Sequence, residues 1–334
     1  MSHRRPRPKV VFSLLAVMLL ATIIASLTMG SNHLSWRHLG DALLGQSGWL
    51  DNLVVLDLRL PRILVAMLIG MGIATSGVVL QGMTRNDLAG PDTVGTNAGS
   101  GLGITFLLVA YPSAVNSQPW LLPLGAVFGA IAMTVLVFAL ASQHGSVLPS
   151  RLLLVGIAVG FGAHAAMLML SLRMGFTTYN EILAWMSGTL KSASWLSVAI
   201  LFPCCLLFMT LAFSRARVLN TLALGESVAM GLGVSVEWQR LLLLGTATML
   251  TSACVAIGGH IGFLGLAAPH LARRMIGSHH GVLFPAAALC GAILLLLADS
   301  LGRHLFSPIE MPAGVLVGVL GGAYFLYLLA TTRG

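Results

Sequence analysis

Long apolar stretches alternate with short polar segments along almost the whole chain. One helical crossing of a bilayer takes about 20 consecutive apolar residues, and this pattern predicts about ten transmembrane helices. The predicted spans are residues 10–29, 63–83, 94–111, 121–141, 152–172, 195–213, 241–258, 261–275, 282–301 and 312–330. The eighth is short and rich in Gly and Pro, so we expect it to be broken or tilted. The sequence therefore predicts an all-α polytopic membrane protein.

Two further segments need separate interpretation. Residues 1–30 carry four basic residues before an apolar run, but this run is too long for a secretory signal and no A-x-A site closes it, so a retained first helix is expected. Residues 179–190 are too polar to span the membrane and predict an interfacial helix, with Trp185 at the headgroup level.

Composition excludes a soluble domain. Charged residues make up 8% and hydrophobic residues 57% of the 334 positions, whereas a soluble domain carries about 25% charged residues. The formal net charge of +8 is spread over short loops without interleaved aromatics, so no nucleic-acid partner is expected. The four cysteines lie inside apolar runs and are interpreted as small core residues, not as disulfides or metal ligands.

The distribution of Lys and Arg predicts the orientation. With the N-terminus inside, twelve basic residues lie in cytoplasmic segments and six on the other side, which satisfies the positive-inside rule. Ten spans then return the C-terminus to the cytoplasm. Glycine pairs spaced as GxxxG suggest close helix packing, with one or two pairs left for a subunit interface. These pairs are Gly99/Gly103, Gly125/Gly129, Gly156/Gly160, Gly258/Gly262, Gly314/Gly318 and Gly318/Gly322.

Several kinds of chemistry are missing from the sequence. If Asp299, Arg151 and the pair Arg273-Arg274 at the end of the eighth span are treated as interfacial, no span contains an acidic or basic residue, and His164 is a titratable side chain well inside a full-length span. Ion-coupled carriers usually keep an ionisable group there. No G-x-x-x-x-G-K-[ST] loop and no hydrolase motif occurs. We therefore expect no catalytic residue, no cofactor and no bound metal, including at His279-His280, and an energy source on another polypeptide.

A long polar insert separates the sixth and seventh spans. Residues 214–240 are far more than a helix hairpin needs, and the centre at 222–233 predicts a short amphipathic helix stopped by glycine. Ser235 is placed to cap the next helix, and Glu237 is favourable in its first turn. Such an element could be a rigid lever for a partner or a plain surface loop, and the spacing alone leaves both open.

Seven motifs in order give the chain a resemblance to a known family. They are Arg59–Arg62, Gln81–Pro91, Trp185–Thr189, Leu224–Ala229, Gly262–Arg273, Ala298–Arg303, and Glu310–Gly314 followed by Gly321–Leu329. On these residues the chain resembles the FecCD family, the permease subunits of type II ABC importers for ferric siderophores, haem and cobalamin. Two positions depart from the family pattern: Asp87 and Ala323 stand where proline is usual, which affects local helix geometry.

The resemblance implies a single permease domain over residues 1–334 with the type II ABC importer permease fold, in a bacterial cytoplasmic (inner) membrane. The implied partners are a second permease subunit, identical or paralogous, two ABC ATPase subunits and an extracytoplasmic substrate-binding protein. The implied activity is import of a ferric siderophore, with haem or cobalamin as alternatives. An ion-gradient-driven secondary transporter or a membrane enzyme remains as a second class of hypothesis.

The resemblance also assigns residues to roles. ATPase coupling falls to Leu224, Gly225, Glu226, Ala229, Leu232 and Gly233. Docking of the binding protein falls to Arg59, Arg62 and Arg303, and a cytoplasmic gate falls loosely to Ser142, Gln143, Leu148 and Pro149. Glu226 could pair with a basic residue of the ATPase or only cap its helix. The arginines could meet acidic groups of the binding protein or only anchor helix ends at the headgroups.

Overall fold

The computed structural model describes residues 8–28, 40–41, 48–118, 120–143, 146–147, 149–172, 176–305 and 310–331. Helices dominate this part of the chain. They are α1 (Pro8–Thr28), α2 (Trp49–Thr84), α3 (Thr96–Ala110), α4 (Pro112–Ser117), α5 (Leu121–Ala141), α6 (Pro149–Ser171), α7 (Phe176–Met186), α8 (Trp195–Ser214), α9 (Ala216–Ala223), α10 (Glu226–Gly231), α11 (Val236–Gly258), α12 (Leu264–Ile276), α13 (His280–Leu305) and α14 (Ala313–Thr331). Two short antiparallel strands, β1 (Ser142–Gln143) and β2 (Ser146–Val147), join α5 to α6.

Each predicted span coincides with one of these helices, which confirms the all-α polytopic fold. Within the described ranges, seven helices are long and apolar enough to cross a membrane: α1, α2, α5, α6, α8, α11 and α13. The other three are shorter. Helix α3 has 15 residues, α12 has 13, and the apolar stretch of α14 covers Ala313–Tyr324. At about 1.5 Å per residue, α3 and α12 are shorter than a hydrocarbon core of about 30 Å.

Helix α2 begins well before the predicted second span. It starts at Trp49, and its segment Leu53–Arg59 is π-helical, with the Leu60 N–H donating to the Val55 carbonyl. Pro61 follows directly. Proline has no N–H to donate and its ring crowds the preceding turn, which a wider π turn relieves. Because this segment contains polar residues, the hydropathy pattern did not predict that the helix begins there.

Glycines allow the central helices to approach closely. A Cβ on Gly70 of α2 would lie 2.4 Å from the Gly291 carbonyl oxygen of α13. The predicted GxxxG pairs of α3 and α5 pack against each other in the same way, because a Cβ on Gly103 would lie 2.1 Å from the Gly125 oxygen. Neither helix could keep this distance with a larger residue. By contrast, Gly318 and Gly322 of α14 have open space around them.

The segment around α7 differs from the prediction. The helix exists, but the Trp185 ring packs towards α3, where a Cβ on Gly101 would lie 2.9 Å from it. The Trp185 carbonyl also accepts a hydrogen bond from the His260 N–H at 3.1 Å. The expectation of a headgroup anchor was wrong because a glycine on α3 leaves room for the indole, which a hydropathy pattern does not reveal.

Candidate functional site

Helix α9 lies against one end of the bundle. Its buried residues Leu219 and Leu222 face the ends of α2 and α13. The Asn220 side-chain oxygen accepts hydrogen bonds from the His280 backbone N–H at 3.0 Å and lies 2.8 Å from His280 Nδ1, and its nitrogen lies 3.3 Å from His279 Nε2. The two histidines thus fasten α9 to the start of α13, so the insert is a packed element and not a loose loop.

Helix α10 follows after a sharp break at Gly225. The backbone there has φ +114° and ψ 154°, a region that essentially only glycine occupies. Gly233, which follows α10, also has positive φ (+82°). The single helix predicted over 222–233 is therefore two short helices, because Gly225 breaks the run. Ser235 does precede α11 as predicted, but its side chain makes no capping hydrogen bond.

Glu226 is held within the chain itself. Its carboxylate pairs with Arg240 of α11, and with Arg85 after α2 at 3.5 Å. Arg240 also pairs with Glu237 at 3.2 Å. The sequence predicted either a helix cap or an ion pair with the ATPase for Glu226, and neither includes this pairing within the chain. Arg85 is distant in sequence and Arg240 lies on the next helix, so no local pattern indicated them. The ion pairs tether α10 to two membrane-spanning helices.

The outward surface of this segment is apolar. Leu224 is 66% and Leu232 is 65% exposed, and Val228 and Met230 of α10 are also exposed. Ala229 alone among the predicted coupling residues of α10 is fully buried and holds the helix against the bundle. Exposed apolar side chains grouped on a short, tethered helix at the end of a bundle are typical of an interaction surface. We call Leu224, Val228, Met230 and Leu232 the apolar patch.

The three predicted docking arginines lie at the opposite end of the bundle and are largely buried. Arg62 of α2 donates to both carboxylate oxygens of Asp299 at 2.8–3.1 Å and to Glu310 at 3.1 Å. Arg303 lies 3.1 Å from Asp299 as an ion pair and donates to the Ser26 hydroxyl at 2.8 Å. Arg59 donates to the Leu27 carbonyl of α1.

This network joins α1, α2 and α13 through one carboxylate. Asp299 is 2% exposed: it is buried towards the end of α13 and shared by two arginines. A buried carboxylate needs such partners, since an unpaired one would be very costly. Contact of these arginines with a binding protein stays a prediction. The structure gives all three of them partners within the chain.

The predicted gate falls on the turn between α5 and α6. Ser142 pairs with Val147 and Gln143 with Ser146 in the β1–β2 hairpin, and Pro149 begins α6. Leu148 lies outside the described residues. The hairpin was not predicted, since two-residue strands leave no periodic signal. The gating role of these residues stays a prediction.

The departure at Asp87 has a structural counterpart. Its carboxylate pairs with Arg273 of α12, which also donates to the Gln81 side chain at 3.0 Å. The residue thus adds a link between the end of α2 and α12. Ala323, the second departure, lies exposed on α14.

A further polar cluster escaped the sequence interpretation. Asp92 lies in the non-helical segment 85–95 before α3 and accepts a hydrogen bond from the Asn97 side-chain nitrogen. One of its oxygens is 3.8 Å from Nδ1 of His260, in the non-helical segment 259–263 before α12. The rings of His260 and His164 meet edge to face, with centroids 6.1 Å apart. Asp92 and His260 lie between predicted spans, at loops that alternate to opposite ends of the bundle, whereas His164 lies inside a predicted span. Only the re-entry of both loops brings the three residues together.

These features define a polytopic membrane protein with an exposed apolar patch at one end of its helix bundle and a buried ionic network at the other. The family comparison agrees: residues 18–331 match the model of the FecCD transport family, and the chain belongs to that family.

Characterised relatives cover almost the whole chain. It is 36% identical over 333 residues to the iron(3+)-hydroxamate import system permease protein FhuG of Bacillus subtilis, covering 98% of this chain and 99% of the relative. It is 39% identical over 328 residues to the Fe(3+)-citrate import system permease protein YfmE of B. subtilis, covering 98% and 97%. It is 37% identical over 339 residues to the hemin transport system permease protein HmuU of Yersinia pestis, covering 98% of both.

A solved structure supports the same assignment. A metal-chelate type ABC transporter in an inward-facing conformation matches with a TM-score of 0.85 and 30% identity, over 97% of this chain and 99% of that one. The expected family and permease fold are therefore confirmed. PsaBC from Streptococcus pneumoniae matches at 15% identity with a TM-score of 0.61, which shows a shared fold only.

Proposed function

We propose that this chain is the permease subunit of an ATP-driven importer that moves a ferric chelate, first of all a ferric siderophore, across the cytoplasmic membrane. Haem is the alternative cargo among the relatives, and cobalamin is the further alternative from the family resemblance. Iron chelates recur in the names of the relatives, which supports this order. The whole chain, residues 1–334, forms one permease domain, with both termini in the cytoplasm.

The observation that carries the proposal is the apolar patch. Leu224 and Leu232 flank a short helix that Glu226 ties to Arg240 and Arg85. A rigid, tethered helix passes a displacement into the bundle, whereas a flexible loop would absorb it. We assign this surface to one of two ABC ATPase subunits, with Leu224, Gly225, Glu226, Ala229, Leu232 and Gly233 as the coupling residues. ATP hydrolysis takes place on those subunits and not on this chain.

The mechanism follows from the tether. Binding of ATP draws the two ATPase subunits together, and α9–α10 moves with them. Because Glu226 and Asn220 connect this segment to α2, α11 and α13, the motion reaches helices that run the length of the bundle. Two permease subunits then alternate between outward and inward openings by rigid-body rearrangement. The open glycine surface of α14 at Gly318 and Gly322 suits close packing with the second subunit.

The opposite end of the bundle is the proposed docking site for the extracytoplasmic binding protein. Arg59, Arg62 and Arg303 are largely buried there and hold α1, α2 and α13 together, so we propose that they shape the docking rim. The Glu310 side chain, which pairs with Arg62, is 34% exposed and is thus more accessible than the Arg62 side chain at 14%. Rim charges mainly steer encounter and set orientation. The turn at Ser142, Gln143, Leu148 and Pro149 remains the proposed cytoplasmic gate.

Reconstitution tests the proposal directly. The permease, its ATPase and its binding protein are placed in vesicles, and uptake of each candidate cargo loaded on the binding protein is followed by its own radioactive metal, iron for the siderophore and haem and cobalt for cobalamin. Uptake that requires ATP and the ATPase, and that is seen with a ferric siderophore but not with cobalamin, is the expected result. Uptake driven by a proton or sodium gradient in vesicles without the ATPase would support a secondary transporter and contradict the proposal.

A further inference from the structure

The cluster of Asp92, His164 and His260 lies deep within the bundle. The Thr93 carbonyl next to Asp92 closely approaches Gly156, which lies about 10 Å along α6 from the start of that helix. His164 lies about 10 Å from the other end of α6. The cluster is thus enclosed between the two ends of one 23-residue membrane-spanning helix.

Both non-helical segments reach this depth because the helices that follow them are short. Pro91 contacts Gly265 near the start of α12, and the Gly265 oxygen closely approaches Gly77, about 10 Å from the end of α2. Segments 85–95 and 259–263 therefore enter from opposite ends and meet at Asp92 and His260. Non-helical backbone at membrane depth is tolerated only inside protein or along a water-filled cavity.

The cluster is accessible and not sealed in the core. The Asp92 side chain is 40% exposed and that of His260 is 30% exposed. A charged side chain at this depth does not face lipid, since it would lose its hydration, but faces a bundle interior or an aqueous cavity. The accessible side of Asp92 and His260 therefore faces the bundle interior or an aqueous cavity.

Asp92 differs from the other carboxylates at the two ends of the bundle. Asp87, Glu226 and Asp299 each pair with arginine, whereas the ionic partner recorded for Asp92 within the described ranges is His260. The N-terminus of α3 behind it offsets part of the negative charge. However, Thr96 and Asn97 of that helix are buried, so a passing molecule meets the carboxylate and the imidazoles and not the helix end.

From this geometry we infer that Asp92, His164 and His260 form a contact site for the cargo within the translocation pathway, and that this site favours uncharged or cationic ferric chelates over polyanionic ones. The carboxylate accepts hydrogen bonds from amide or ammonium groups of a chelate, and the His260 imidazole can donate to its carbonyl oxygens. His164 donates from Nδ1 to the Gly160 carbonyl at 2.8 Å, so its Nε2 is left to accept from an N–H of the chelate. A polyanionic chelate is repelled by the negative charge of Asp92. The inference rests on the proposed import function and narrows its substrate class.

The test compares two chelates in vesicles that contain the complete importer with its binding protein. Initial iron-55 uptake is measured for an uncharged ferric trihydroxamate and a trianionic ferric tricatecholate, and the ratio of the two rates is the readout. A substitution in the permease leaves the preference of the binding protein unchanged, so a change in the ratio reports on the pathway. The wild-type complex should favour the trihydroxamate.

Asp92→Asn should lower the ratio by at least about fivefold, because it removes the repulsion while keeping the shape of the side chain. Asp92→Glu, which restores the charge, and Asp87→Asn, which removes a carboxylate at the bundle end, should leave the ratio within about twofold. An unchanged ratio for Asp92→Asn would overturn the contact site. Absence of ATP-dependent uptake of either chelate by the wild type would overturn the proposed function, and the site with it.

Discussion

The guanidinium of Arg62 and the carboxylate of Asp299 lie 2.8 Å apart at the junction of α2 and α13, with side chains 14% and 2% exposed. Arg303, one turn further along α13, shares the same carboxylate. One buried acid thus forms ion pairs with arginines from two helices. Such a centre fixes how the helices sit against each other at the end opposite the apolar patch.

Removal of this acid should be strongly destabilising. Asp299→Asn leaves two arginines without their shared carboxylate, and losing one partner of a buried ion pair costs about 3–5 kcal/mol. The matched control is Glu310→Gln, which removes a more exposed carboxylate from the same Arg62 and should cost less than about 1 kcal/mol. Thermal unfolding of the detergent-solubilised protein measures both. Equal losses of stability in the two variants would argue against the central role of Asp299.

Close packing of α2 on α12 should depend on Gly77. A Cβ there would lie 1.8 Å from the Gly265 carbonyl oxygen, so Gly77→Ala forces backbone to move and should destabilise by about 1–3 kcal/mol. Gly245 of α11 has nothing within 4 Å, and Gly245→Ala should be neutral or slightly stabilising. The same unfolding assay compares them. A Gly77→Ala protein as stable as Gly245→Ala would show that the helices do not approach so closely.

The break between α9 and α10 should require glycine at position 225. With φ +114°, any side chain there is strained by about 1–3 kcal/mol, so Gly225→Ala should shift or straighten α10 and reduce transport. Gly231→Ala, at the end of α10 with open space around it, is the control and should transport normally. Vesicle uptake and association with the ATPase are the two measurements. Normal uptake by Gly225→Ala would remove the break from the coupling mechanism.

The apolar patch should supply much of the affinity for the ATPase. Burying a leucine side chain contributes about 1.5–3 kcal/mol, so the double variant Leu224→Ala, Leu232→Ala should weaken ATPase association by at least about tenfold. Leu154→Ala on α6 removes a side chain that is 70% exposed but lies outside the insert, and should leave association unchanged. Co-purification of the two subunits at graded concentrations gives the affinities.

If the double variant binds the ATPase as well as Leu154→Ala does, the apolar patch is not the contact surface. Membrane insertion of each variant, followed by its yield in the membrane fraction, separates a loss of affinity from a loss of protein.

Much of the fold was predictable because apolar runs of helical length are a strong signal, and each of the ten runs holds a helix. The spans at α3 and α12 were predicted longer than they are, because apolar residues continue into re-entrant segments that are not helical. Hydropathy reports the environment of a residue and not its backbone conformation.

The candidate sites were predicted in part. The length of the insert predicted its location. The break between α9 and α10 was not predicted, because it depends on the backbone conformation at Gly225. The partners of Glu226, Arg62 and Asp92 are distant in sequence, so no local pattern reveals them. The pairing of Asp92 with His260 depends on two loops meeting within the bundle, which a topology of alternating loops cannot anticipate.

Cross-linking from α10 tests the central claim, that this chain draws its driving force from an ATPase through the α9–α10 segment. Met230→Cys places a thiol on the apolar patch, while the native cysteines are buried or partly buried. A photoreactive maleimide on this thiol should give a covalent adduct with the ATPase subunit, and Leu305→Cys at the opposite end should give none. An adduct from position 305 and none from position 230 would contradict the account.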